Sequence, residues 1–200
     1  TNIIYGLGAI KGVGEGAVES IVEARRTDGP FKDLYDFCRR VDIKKVNKRT
    51  LEALVSAGCF DDFAAILRPD LPSDEAYEIR GALMSQLPSA VQAAEQDRQN
   101  REIGMMDLFG EMDGIVAAPP LIMTSELIWG DKHRLKAEKN TLGLYLTGHP
   151  IDEYREELKR YTSGIQLDKL TDTGYNGSCY FAGLIIDLAN FGNRNVITLD

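Results

Sequence analysis

The sequence is short of the features that most often announce a function. It has three cysteines, Cys38, Cys59 and Cys179, far apart and without a C-x-x-C pair. That spacing excludes a disulfide framework and a paired-thiol zinc site, and predicts reduced thiols in a cytoplasmic protein. No apolar run approaches the roughly 18 residues that span a bilayer, so no membrane partner is expected. A basic-then-apolar leader is missing too. The chain lacks an initiator Met and stops at VITLD in what reads as mid-sheet, so both ends are read as cuts through a longer protein. Its two histidines, His133 and His149, have no Cys or Ser partner at a recognisable spacing, and structural roles are expected for both. Asp61-Asp62 reads as capping or solvated carboxylates rather than a metal site, and the single Trp129 as a packing residue.

Positive charge is scarce overall, with 23 Lys and Arg against 31 Asp and Glu for a net charge of −8. Averaged over the chain, that argues against nucleic-acid binding. By segment the charge is uneven: residues 1–60 carry a small positive excess, residues 61–130 are strongly acidic, and residues 131–200 nearly neutral. From Arg39 to Arg49 there are six basic residues against Asp42 alone. A phosphate senses charge within about 10 Å, so the local excess matters more than the total.

Elements follow from periodicity. Gly12-Val13-Gly14 is a tight-turn signal, and Glu15 to Arg26 reads as a helix with Ala17, Val18, Ile21, Val22 and Ala24 inward. Asp28-Gly29-Pro30 ends it. Phe31, Leu34, Phe37, Cys38 and Val41 mark a short amphipathic helix. Asn47 reads as the N-cap of a third helix, with Leu51, Leu54 and Val55 inward and Gly58 at its stop. Residues 1–60 thus hold two helix–turn–helix units of similar size, which suggests two halves about a pseudo-two-fold axis. Beyond a turn at Pro69 to Ser73, helices are predicted over Asp74 to Gln86, Ser89 to Glu102, Lys132 to Leu146 and Ile151 to Tyr161. From Ser178 the texture turns to β-branched and aromatic residues around a Gly/Asn turn, the start of a β domain.

The stretch AIKGVGEGAVESIVEAR carries the chemistry. Glycine lets a ligand's backbone approach closely, and the first amides of the following helix have no intrahelical partner. With the macrodipole they form a phosphate site that reads no base identity. A plain tight turn between packed helices accounts for the same glycines. In DIKKVNKRTLEALV the corresponding turn, Val46-Asn47, is flanked by Lys44, Lys45, Lys48 and Arg49, which add salt-dependent attraction. A solvated basic face is the other reading of that cluster.

The segment IIYGLGAIKGVGEGAVESIVEAR, followed by FKDLYDFCRRVDIKKVNKRTLEALVSAGCFD, resembles the tandem helix-hairpin-helix region of the bacterial DNA polymerase III alpha subunits, the replicative C-family polymerases. NTLGLYLTGHPIDEY is similar to the segment before that family's OB domain, and AGLIIDLANFGNRNVITLD to its first OB strands. The resemblance runs in order over nearly the whole chain. It implies that the helix-hairpin-helix pair grips the backbone of primer–template duplex. On that basis Gly12, Val13, Gly14 and Gly16 are the DNA contacts of the first hairpin, and Lys45, Asn47, Lys48 and Arg49 those of the second, which lacks G-x-G. The resemblance also implies a sliding-clamp motif at Met105, Met106, Asp107, Leu108 and Phe109, with Leu108 and Phe109 as apolar anchors. Met105 stands where the family has Gln. The family's Mg²⁺-binding carboxylates belong to its palm domain, so no catalytic residue and no cofactor is expected in this chain.

The expected architecture is mainly α: a tandem helix-hairpin-helix domain over 1–62, a helical extension over 63–104, a clamp-binding linker over 105–125, a helical segment over 126–164, and the truncated start of an OB barrel over 165–200. Expected partners are duplex DNA, the sliding clamp, other polymerase III holoenzyme subunits, and single-stranded DNA on Tyr180, Phe181 and Phe191. The alternative is a replisome scaffold with little DNA binding of its own. A repair-type helix-hairpin-helix enzyme would need a catalytic residue in a base pocket or a Cys cluster, and neither is apparent.

Overall fold

The computed structural model describes residues 5–102, 124–162, 180, 182–192 and 194–199. It divides into two compact units, residues 1–147 and 148–200. The division falls inside the helical segment expected over 126–164.

The first unit opens with the two hairpins. α1 (Glu15–Asp28) buries Ala17, Ile21 and Ala24, close to the expected apolar set. It stops at Gly29, whose φ of 81° suits glycine. α2 (Leu34–Arg40) is N-capped by Asp33, which accepts from the Asp36 amide. α3 (Lys48–Ser56) is N-capped by Asn47 as expected. At its end the amides of Gly58 and Cys59 return to the carbonyls of Val55 and Leu54, a Schellman motif with Gly58 at φ 79°. Leu34, Phe37, Leu51, Leu54 and Val55 meet in one core, with Phe31, Phe37, Phe60 and Phe63 in successive ring contacts 4.8–5.4 Å apart. A 3-10 turn (Asp61–Phe63) and the short α4 (Ala64–Leu67), neither foreseen, close this part.

Two predicted helices prove to be one. Ser73–Ile79 is a 3-10 segment, and α5 runs unbroken from Arg80 to Glu102 with Pro88 inside it. Proline in a helix interior removes one backbone bond and costs about 3 kcal/mol. Leu83 and Leu87 before the proline, and Ala90 and Ala94 after it, are all buried in the core that α5 shares with α2 and α3. A buried leucine contributes about 1.5–3 kcal/mol, so packing on both sides offsets the break. Tyr35 of α2 and Ser89 share a hydrogen bond at 3.1 Å beside Pro88.

α6 (Asp131–Leu142) also departs from expectation. It ends four residues before Leu146, because Gly143 takes the left-handed conformation at φ 78°. Among the described residues of the second unit, Ile151 to Tyr161 is not one helix but a 3-10 turn (Asp152–Tyr154) and the single turn of α7 (Arg155–Leu158). An antiparallel hairpin, β1 (Ile185–Phe191) and β2 (Arg194–Leu199), follows. Phe191 pairs with Arg194 beyond Gly192, which has φ 65°, and the register slips between Ile185 and Asp187. The chain is therefore mainly helical with a small sheet near its C-terminal end.

Candidate nucleic-acid interface

The two hairpin turns share one register. Ile10, Val13 and Gly14 of the first correspond to Ile43, Val46 and Asn47 of the second, each turn leading straight into a helix. In both, the valine is buried and its amide is spent inside the turn: Val13 donates to the Ile10 carbonyl at 3.1 Å, Val46 to Asp42 at 2.8 Å. Val13, a predicted contact, thus offers neither amide nor side chain outward; it anchors the turn. Gly12 and Gly14 are exposed, and Gly16 partly so. Gly12 sits at φ 94°, in the region that favours glycine. Gly14 at the N-cap has no side chain to cap with, which leaves the amides of Glu15 and Gly16 without intrahelical partners.

The second turn is built differently. The Asn47 side chain already accepts the Thr50 amide at 3.1 Å. Lys45, Asn47, Lys48 and Arg49 are all exposed, so cationic side chains surround the remaining amides of the helix start. Lys48 reaches Glu52 only at 3.8 Å and with 71% exposure, an ion pair that water screens.

The turns interlock reciprocally. Thr50 of α3, itself buried, donates through its hydroxyl to the Gly12 carbonyl at 3.1 Å. A Cβ on Gly12 would meet that of Ala53 at 3.5 Å. In return, Ser20 of α1 accepts the Asp42 amide at 2.8 Å, and the stem of Lys45 lies over Gly16. Each turn thus rests on the other's helix, holding two helix N-termini in one fixed relation.

Behind the hairpins lies a buried charge network that sequence reading missed. Arg80, fully buried, makes a bidentate pair with Asp61 (2.8 and 2.6 Å) and reaches Glu138 of α6 at 2.8 Å. Glu138, also fully buried, accepts the amides of Leu146 and Thr147 and the Thr147 hydroxyl. Arg134 stacks over the Tyr77 ring at 3.9 Å and donates to the Thr147 carbonyl. Asp61 is therefore not a solvated cap; it is the outer member of this network. Its signal was present in the sequence. Arg80 falls in phase with Leu83, Leu87, Ala90 and Ala94, and Glu138 in phase with Leu135 and Leu142, so opposite charges occupy core positions on two helices.

Burial alone would raise the Glu138 carboxyl, but the Thr147 hydroxyl, the Arg80 guanidinium and the two amides together hold it below its ordinary 4.5. A depressed folded value means that its stabilising share is complete above about pH 4.5 and is lost as pH falls through the folded value. Urea unfolding of the wild type should weaken below that pH, and Glu138→Gln should flatten the acid limb. An equally steep limb in the variant would assign it to other carboxylates.

The remaining candidates resolve simply. Trp129 packs against the core and lies 4.6 Å from the His133 ring. His149 holds a local turn: its amide donates to Asp152 and its Nδ1 accepts the Ile151 amide. Cys38 and Cys59 are free thiols, and burial, with Asp33 nearby, pushes Cys38 up to about 12. Among the described residues no group of three or more His, Cys, Asp or Glu is placed to hold a metal, and no helix is long and apolar enough to cross a membrane. Tyr180 is exposed. Met105, Met106, Asp107, Leu108 and Phe109, like Phe181, lie outside the described residues.

Two turn-initiated helices, packed reciprocally and presenting their N-termini, define a tandem helix-hairpin-helix module. Residues 1–68 match the helix-hairpin-helix motif family. Nearly the whole chain is similar to the DNA polymerase III subunit alpha of Pseudomonas aeruginosa (45% identical over 213 residues) and of Escherichia coli (40% over 207), each covering 99% of this chain. The Vibrio cholerae subunit is 46% identical over 184 residues, 92% of the chain. The chain belongs to the DNA polymerase III alpha-subunit family, and spans 15–17% of the length of these relatives.

Proposed function

We propose that residues 1–60 hold primer–template duplex by its phosphates without reading base sequence. The observation that carries this is the pair of exposed, interlocked helix starts, one lined by glycine amides and the other by Lys45, Lys48 and Arg49. A duplex presents phosphates on two strands, and two helix N-termini in fixed relation suit one phosphate on each. In the whole protein, on this reading, template-directed DNA synthesis with Mg²⁺ takes place in other domains. This segment steadies the product duplex there in the cytoplasm, within a larger replicative assembly. Met105–Phe109 would tether it to the sliding clamp, raising processivity through effective concentration. The β1–β2 hairpin would begin an OB barrel whose aromatics meet single-stranded DNA.

Fluorescence anisotropy of a labelled primer–template duplex across a salt series tests the grip. Binding should weaken with salt. Lys48→Ala/Arg49→Ala should lower affinity on every sequence alike and reduce the salt slope by about 2. A folded wild type that binds no duplex at low salt would refute the reading and leave the clamp tether as the main role.

A further inference from the structure

The two turns differ in what holds them. The second is held within the hairpins: Ser20 takes the Asp42 amide, and the amides of Lys44, Lys45 and Val46 all return to Asp42, at 2.8–2.9 Å. The first also draws on an element outside them. The amide of Lys11, the residue before Gly12, donates at 2.9 Å to the carbonyl of Thr141, at the end of α6. Beside it the Tyr5 hydroxyl donates to the Leu142 carbonyl at 2.8 Å. Thr141 and Leu142 lie in the last turn of α6, where carbonyls have no intrahelical partner. The lead-in to the first turn therefore caps α6, and α6 in turn supports the first turn.

The position of α6 is itself set from inside. Glu138, one turn before Thr141, is fixed by Arg80, which Asp61 fixes from the side of α3. Gly143 stops the helix just beyond, so that Leu146 and Thr147 fold back onto Glu138. A chain of direct contacts runs Asp61–Arg80–Glu138–α6–Thr141–Lys11, ending one residue before Gly12.

We infer that α6, latched by Arg80 and Glu138, is a positioning element for the first phosphate-gripping turn, to which it is bonded directly, whereas it meets the second hairpin only along the body of α3. The inference rests on the duplex-gripping reading. None of these residues need touch DNA; they set where the amides of Glu15 and Gly16 stand.

The test uses the whole 200-residue chain, with duplex affinity over a salt series and amide hydrogen exchange. Two variants are compared. Glu138→Gln cuts the latch; Tyr5→Phe removes one strut at a 43% exposed residue and leaves the core intact. Both should weaken duplex binding roughly two- to tenfold, the worth of one phosphate hydrogen bond. The salt slope should stay at the wild-type value, because no cation is lost. The Lys11 amide should exchange faster in both, while Lys45 and Val46 exchange as in the wild type.

Faster Lys11 exchange with unchanged affinity in both variants would overturn the inference. So would unchanged Lys11 exchange in Tyr5→Phe, or loosening of both turns equally in that variant. If Glu138→Gln fails to fold, Tyr5→Phe decides alone. A wild type that binds no duplex defeats the gripping role, and with it the inference's consequence for DNA. The exchange data then decide separately whether the latch governs the turn.

Discussion

Arg80→Ala should lower the unfolding free energy of the unit holding the hairpins by about 3–5 kcal/mol. The guanidinium is fully buried and faces two carboxylates, Glu138 with no exposure and Asp61 with 21% of its side chain exposed. Removing it leaves Glu138 charged, or forced to take up a proton, in a place water does not reach. The pair as a whole is worth much less than this figure, because desolvation of both ions offsets most of their attraction. That distinction can be measured. Arg80→Met/Glu138→Leu, which removes the buried charges together, should cost clearly less than Arg80→Ala, since Asp61 can turn toward solvent. Urea unfolding followed by circular dichroism gives both values. A double variant as damaged as the single would mean that the network contributes net stability in its own right.

The second large effect is a reversal of sign. Gly81 lies in the first turn of α5, and alanine at a helical glycine ordinarily gains about 0.5–1 kcal/mol. Here a Cβ would overlap the Leu127 carbonyl and press on the Trp129 ring at 2.9 Å. The obstacle is backbone, which cannot rotate aside. Gly81→Ala should therefore destabilise by about 1–3 kcal/mol, the cost of overpacking. It should also change the tryptophan fluorescence, since Trp129 is the one Trp in the chain. A gain in stability with an unaltered spectrum would show that the approach of Leu127 to α5 is not maintained in solution.

Local signals read well and long-range ones did not. The apolar spacing of Ala17, Ile21 and Ala24, the Asn47 cap and the Gly58 stop are determined within a few residues, and each is where the sequence placed it. Pro88 was misread because its penalty is local, whereas the Leu83, Leu87, Ala90 and Ala94 contacts that outweigh it come from α2 and α3. The end of α6 turned on Gly143, a stop signal inside a segment whose composition continues helical. Val13 shows a different gap. Its place in the turn was legible, but the use of its amide by Ile10 is a matter of turn geometry. Arg80 and Glu138 were legible as charges on apolar faces, yet nothing local says that they find each other. The module is legible from similarity to the polymerase alpha subunits, but the support of its two turns depends on contacts distant in sequence.

The continuity of α5 through Pro88 fixes a distance. At 1.5 Å per residue, its far end lies about 30 Å from Gly81, beside which the chain re-enters at Leu127. α5 is thus a rigid spar, locked at its near end by the Arg80 pair and pinned on both sides of Pro88 by Leu83, Leu87, Ala90 and Ala94.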